Sequence, residues 1–183
     1  MIVTLDRAMI LHEHASMTPD LRIGHGFDVH RFRRGGKLVL GGVRIPYSLG
    51  LAGHSDADVA LHALINALLG AMGERDIGAH FPDTDRRLKG ISSVKMLEEV
   101  LRMMKRKRFR VVNGDITVMA QKPRLAPFVP AIRRRMAGLL EVGADRINIK
   151  AVTTEGLGWI GKGQGMAAAA VVLIEKRKTA ENR

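Results

Sequence analysis

Between Ala57 and Met72 the chain runs through sixteen residues of which only Asp58, His62 and Asn66 carry polar side chains. The three recur at every fourth position. Residues four apart share a helix face, so the spacing predicts a helix over Asp56–Met72 with one polar stripe on an otherwise apolar rod. A rod of that kind is buried, and its polar groups need partners. Ser55 or Asp56 is the expected cap.

The rest of the chain alternates between extended and helical patterns. Arg22 to His30 alternates loosely and predicts a strand. Two apolar runs flank Gly41-Gly42 between Lys37 and Tyr47, a hairpin signal. Leu49 to Ser55 reads as a glycine-containing loop, and Asp76 to Ser92 as a longer one. Val94, Leu97, Val100, Leu101 and Met104 have helical spacing within Ser92–Lys107. The basic end of that segment, Lys105 to Arg108, suits the negative end of a helix dipole. Phe109–Ala120 and Arg146–Thr154 read as strands. Pro127–Val142 reads as a helix with Pro130 near its start. In Met166–Glu175 the alanines favour helix while Val171, Val172 and Ile174 favour strand. A C-terminal strand is the expectation, in part because of the resemblance described below.

Length and charge narrow the class. A chain of 183 residues with 46% hydrophobic content suits one domain with a sizeable core. Its 30 Lys and Arg against 18 Asp and Glu give a net charge of +12, a field that attracts nucleic acid, anionic membrane or a phosphorylated small molecule. Aromatic content of 4% leaves little material for base stacking. The absence of cysteine excludes disulfides, thiolate zinc sites and cysteine nucleophiles, and it fits a reducing compartment. No stretch is long and apolar enough to span a bilayer. Met1 to Asp20 reads as a short extension rather than a signal peptide.

Candidate chemistry gathers around the polar stripe. On a strand, residues two apart face one side, so Asp28 and His30 can aim at one point and His62 can meet them from a helix. One carboxylate and two imidazoles suit zinc with an open fourth position, and they equally suit non-haem Fe(II). Asp58 and Asn66, one turn either side of His62, are placed to orient its ring. His54-Ser55 sits at the entry of the buried helix, where free backbone N–H groups favour anions. Thr153-Thr154-Glu155 ends a strand, and a carboxylate there could hold a hard cation such as Mg²⁺. Phe81 to Asp85 is a turn by its residue types.

Several long strings also match a known family. RIGHGFDVH (Arg22–His30), GGVRIPY (Gly41–Tyr47), HSDADVALHAL (His54–Leu64), ALLGA (Ala67–Ala71), DIGAHFPDTD (Asp76–Asp85) and AVTTEGLG (Ala151–Gly158) occur in order. The chain resembles the 2-C-methyl-D-erythritol 2,4-cyclodiphosphate synthases from Arg22 to about Lys176. The resemblance implies an α/β subunit of two layers, a mixed four-stranded-type sheet with helices on one face plus a small β-hairpin. It implies residues 22–177 as the single domain, with 1–21 as an extension and 178–183 as a tail. It further implies a cytoplasmic homotrimer around a threefold axis, with active sites at subunit interfaces and no nucleic-acid or membrane partner.

The implied reaction is that of a divalent-metal-dependent phosphorus–oxygen lyase of the non-mevalonate isoprenoid pathway. The 2-phosphate of 4-diphosphocytidyl-2-C-methyl-D-erythritol 2-phosphate attacks the β-phosphorus, and CMP leaves. By position, Asp28, His30 and His62 match the zinc ligands and Glu155 the residue for a second ion, Mg²⁺ or Mn²⁺. His54 and Thr153 match positions that stabilise the transition state, and Ser55 matches a phosphate contact. Asp76 and Gly78 match the pair that holds the methylerythritol hydroxyls. Phe81, Asp83 and Asp85 lie in the substrate loop. Ala120, Pro123, Leu125 and Ala126 match the cytosine pocket, supplied with Thr153, Thr154 and Glu155 by the adjacent subunit. Trp159 and Lys162 complete the expected substrate contacts.

The chain departs from the family pattern at Asn66, where an aspartate is expected, and at Val152, Gly156, Lys162 and Gln164. Two other readings stand beside the synthase: a non-haem iron oxygenase, from the ligand set alone, and a basic nucleic-acid-binding module, from the charge alone.

Overall fold

A computed structural model describes residues 19–177. The expected extension lies outside the described residues except for its last three positions, and the tail 178–183 lies outside them entirely. Seven strands and five helices are described: β1 (Leu21–Arg34), β2 (Leu38–Leu40), β3 (Val43–Ile45), β4 (Leu49–Leu51), α1 (Val59–Met72), α2 (Ile77–His80), α3 (Ser93–Arg106), β5 (Phe109–Met119), α4 (Val129–Leu139), β6 (Ile147–Val152), α5 (Gly158–Gly161) and β7 (Gly165–Lys176). Three short 3-10 turns lie between them.

The sheet is mixed and has five strands in the order β4-β1-β7-β5-β6, with only β5 and β6 parallel. The expectation of a four-stranded type is corrected by β4. Residues 49–51, expected as loop, pair with Phe32–Arg34 because β1 continues past His30 and offers its edge. Met166–Glu175 is extended as expected, inside β7. Its alanines reflect packing rather than helix: Ala167, Ala168 and Ala170 are buried, and α1 lies across β7 as well as β1. The Asp76–Ser92 segment contains the single helical turn α2 and a 3-10 turn at Arg86–Leu88. Pro127–Val142 narrows to α4, with Pro130 in its first turn as expected.

The positioning of α1 starts from two glycines. A Cβ at Gly24 would lie 1.8 Å from the Ala67 carbonyl oxygen, and one at Gly26 would lie 2.0 Å from that of Ala63. The helix backbone therefore rests directly on β1, which only glycine permits. Twelve of the fourteen residues of α1 are buried. The opposite face of the sheet carries exposed apolar side chains, with Ile23, Phe27, Val29 and Val171 between 45% and 72% accessible.

The helix start differs from expectation. Asp58 is the N-cap, with its side chain accepting from Leu61 N, and α1 begins at Val59. Ala57, at φ 55°, turns the chain just before it. The β2–β3 turn docks on this end. Gly41 and Gly42 both have left-handed φ (60° and 73°), as a two-residue hairpin turn requires. Their N–H groups donate to the Asp58 carboxylate at 2.9 and 2.7 Å.

Candidate active site

Asp28 and His30 project from β1, and His62 meets them from the second turn of α1. Asp28 Oδ2 lies 2.9 Å from His30 Nε2 and 3.1 Å from His62 Nδ1, and the two ring nitrogens are 3.1 Å apart. Among the described residues this is the one cluster of three such groups able to hold a metal ion.

The outer edges of the rings fix which nitrogen carries the proton. His30 Nδ1 donates to the Ala52 carbonyl at 2.8 Å, which leaves Nε2 as a lone pair. His62 Nε2 lies 2.9 Å from Ser93 Oγ, and the Ser93 hydroxyl donates to Asp56 Oδ1. Ser93 therefore accepts the His62 Nε2–H, and Nδ1 is left bare. Two imidazole lone pairs and one carboxylate oxygen converge on one point, an arrangement that calls for positive charge between them. The electrostatic surroundings of each group agree. Burial alone would raise the Asp28 carboxyl, but His30 and His62 beside it hold it well below the ordinary carboxylate range. Burial opposes charge on His30, yet its bond to Asp28 raises the ring above its usual value. The centre of the cluster favours positive charge, which a divalent cation would supply.

Asp58 and Asn66 do not orient His62, contrary to expectation. Asp58 is wholly buried, and its oxygens are taken by Gly41, Gly42 and Leu61 N–H groups. The Asn66 side chain turns the other way: Oδ1 accepts from Ile77 N at 2.9 Å, and Nδ2 donates to Phe27 O at 3.5 Å. An amide can do both, whereas a carboxylate could only accept. Asn66 thus ties the Asp76–Gly78 turn to α1. The partners of His62 that sequence reading missed are Ser93 and Asp56, 31 and 6 residues away. One signal was present: Ser92 and Ser93 both stand at the start of α3, and only Ser92 is used as its cap.

The expected anion site at the helix entry is also corrected. The Asp58 carboxylate sits at the N-terminus of α1, where it accepts from Leu61 N, and the hairpin turn covers that end through Gly41 and Gly42. Ser55 is beside the cluster instead, with Oγ 3.2 Å from His62 Nε2 and accepting from Ala57 N at 3.0 Å. His54 is exposed and lies 3.9 Å from the Asp83 carboxylate. Asp76 caps α2 through Ala79 N, with Gly78 beside it. Phe81 packs against the core, and Asp85 is engaged by Arg87.

Thr153 and Glu155 are brought to each other but not to the cluster of the same chain. Thr153 Oγ1 donates to Glu155 Oε1 at 2.6 Å, in an exposed turn where Glu155 has φ 51°. Strand register runs from Asp28 to Ala168, to Val118, to Ala151. Glu155 follows the far edge strand, and three strand spacings separate Asp28 from Ala151 by about 14 Å. Ala120 joins this far edge by donating to Val152 O at 3.0 Å. Leu125 is buried nearby in sequence, Ala126 opens a 3-10 turn, and Pro123 follows a cis peptide bond. Thr154 Oγ1 donates to Leu157 O, which holds the turn into α5, where Trp159 and the C-cap Lys162 lie. The expected residues thus form two groups at one end of the sheet, one on each side.

Fold and site together define an α/β protein whose open mixed sheet carries a cluster able to hold a metal ion. Known proteins narrow that class. The profile of the YgbB family matches residues 21–175, and the chain belongs to that family. It is 54% identical over 163 residues to a 2-C-methyl-D-erythritol 2,4-cyclodiphosphate synthase of Syntrophotalea carbinolica, covering 89% of this chain and 99% of the relative. It is 54% identical over 157 residues to one of Geotalea uraniireducens, covering 86% of this chain and all of the relative. Among solved structures, the bifunctional IspDF of Campylobacter jejuni superposes with a TM-score of 0.84 at 41% identity, covering 88% of this chain and 44% of that one. A Plasmodium falciparum IspF complex with CDP superposes with a TM-score of 0.76 at 30% identity, covering 86% and 97%.

Proposed function

We propose that the chain is a cyclodiphosphate synthase that converts 4-diphosphocytidyl-2-C-methyl-D-erythritol 2-phosphate to 2-C-methyl-D-erythritol 2,4-cyclodiphosphate and CMP, a step in isoprenoid precursor biosynthesis. The observation that carries this reading is the convergence of Asp28 Oδ2, His30 Nε2 and His62 Nδ1 in a chain that matches relatives of that name over nearly their whole length. An open sheet backed by helices is not the all-β barrel that the iron-oxygenase reading needs.

In the reaction an oxygen of the 2-phosphate bonds to the β-phosphorus. The bond from that phosphorus to the bridging oxygen breaks, and CMP leaves with the oxygen. The nucleophile is already an anion, so no strong base is needed. The work left to the protein is positioning and charge stabilisation. Asp28, His30 and His62 would hold zinc, and Glu155 a second divalent ion, Mg²⁺ or Mn²⁺. When bound, such ions polarise phosphoryl oxygens and clamp the reacting groups in line.

The side chains have roles that follow from their bonding. The Ser55 oxygen accepts from Ala57 N, which leaves its own proton for a phosphate oxygen. His54, exposed beside Asp83 on the substrate loop, can donate to the transferring phosphate. Asp76 and Gly78 lie in a turn anchored by Asn66 and face the sugar-alcohol part. Thr153, Glu155 and the Ala120–Ala126 segment lie on the far edge of the sheet, too distant to join the cluster of their own chain. An adjacent subunit that presents its far edge to this cluster completes the site, which supports a trimer with interface active sites. The exposed apolar face of the sheet supports the same assembly.

Incubating the pure protein with this substrate and Mg²⁺ tests the reading. CMP release is expected, and it is expected to be lost in His62→Ala. Normal CMP release from His62→Ala would refute the zinc assignment.

A further inference from the structure

We infer that Ser93 and Asp56 form a positioning relay that sets the metal-binding face of His62. The inference rests on the metal-site reading above and extends it to two residues outside the ligand set.

The relay is closed at each step. Ser93 is wholly buried, at the first position of α3. Its hydroxyl donates to Asp56 Oδ1, and its backbone N–H donates to the same oxygen at 3.1 Å. A hydroxyl has one proton, so once it is given to Asp56 the oxygen can only accept. The His62 Nε2–H, 2.9 Å away, is the donor it accepts from. That fixes the ring with Nδ1 bare and turned toward Asp28 and His30. Without the Asp56 acceptor, the Ser93 proton could turn toward His62 Nε2 and allow the opposite tautomer, with a proton on Nδ1 where the ion must bind. Ser55, at 3.2 Å from the same nitrogen, is a longer contact whose oxygen is already engaged by Ala57 N.

The relay also joins two segments that carry substrate-facing residues. Gly90 N donates to His54 O at 2.7 Å, and Asp56 N donates to Ile91 O at 3.3 Å. With the Ser93–Asp56 pair, these bonds clamp the end of the Phe81–Gly90 loop to the segment that carries His54 and Ser55. His30 has a simpler counterpart, since the Ala52 carbonyl alone dictates its tautomer. His62 sits on a helix whose own carbonyls are used within the helix, so its outer nitrogen has to find a side chain from elsewhere.

The test uses the full chain, with zinc alone as the probe. In the metal-free wild type, the His62 ring is expected to show an Nε2-bound proton in slow exchange with water by ¹⁵N-edited NMR. Ser93→Ala and Asp56→Ala are each expected to lose that protected signal and to weaken zinc affinity by about 10- to 100-fold in chelator competition. The double variant should lose little more than either single one, because both act through one chain of bonds. Asp56→Asn, which keeps an oxygen for both Ser93 donors, should bind zinc near the wild-type level. The relay is overturned if wild-type His62 carries its proton on Nδ1, a readout that needs no variant, or if Ser93→Ala binds zinc like the wild type. A wild type that binds no zinc at all would instead overturn the metal-site reading.

Discussion

The buried charges of this protein are each answered by a specific partner, and the two aspartates nearest the site behave in opposite ways. Asp28 is held below the ordinary range by His30 and His62 despite its burial. Asp58, with no cation beside it, is pushed up to about 6 by burial, against the pull of the Gly42, Gly41 and Leu61 N–H groups. A carboxyl with a raised folded value binds its proton more tightly folded than unfolded. Its contribution to stability is therefore greatest at low pH and falls as pH rises from about 4 to about 6. Relative to Asp58→Asn, the wild type should lose on the order of 3 kcal/mol across that window, read from urea midpoints at pH 4 and pH 7. A difference that stays flat with pH would mean the carboxylate is ionised throughout. The Asp28 window lies lower, below pH 4, so the two do not overlap. Among the proposed zinc ligands, Asp28→Asn should keep the fold but lose zinc in equilibrium dialysis, since an amide replaces the anionic oxygen.

The elements position these residues through contacts that sequence shows unevenly. The buried helix, the hairpin at Gly41-Gly42, α3 and most of β1 follow from periodicity and turn residues. The Asp28/His30/His62 set follows from the two-residue and four-residue spacings. Residues 49–51 read as loop because a three-residue edge strand has no period of its own and forms only where β1 overruns. Asp58 read as a possible partner of His62 because both lie on one stripe. Its true partners are hairpin N–H groups sixteen and seventeen residues upstream. Ser93 lies inside the helical segment Ser92–Lys107 with no distinguishing signal, since nothing local shows which of two serines turns inward. The contact of α1 with β1 is the most exacting of these arrangements. Gly26→Ala would place a methyl 2.0 Å from the Ala63 carbonyl oxygen, so helix and strand must part. The expected cost is about 3 kcal/mol or more, together with weaker zinc binding, because the ligands sit on the two elements being separated. In contrast, Gly138→Ala at an exposed position of α4 meets nothing within 4 Å and should stabilise the fold by about 0.5–1 kcal/mol in thermal unfolding.

In the single chain, the sheet has one face under α1 and another that carries Ile23, Phe27, Val29 and Val171 in the open. An apolar face of this kind is covered by other copies of the chain in the trimer proposed above. Light scattering should give about three times the chain mass of 20.1 kDa. Phe27→Glu should shift it toward the monomer and abolish turnover while leaving zinc bound, because the cluster lies within one chain and the Thr153–Glu155 corner comes from another. Monomeric wild type with full turnover would remove the shared-site account. The decisive observation is diffraction from zinc-soaked crystals on either side of the zinc absorption edge. An anomalous peak bonded to Asp28 Oδ2, His30 Nε2 and His62 Nδ1 is the expected result. Catalytically active crystals with no peak among those three atoms would contradict it.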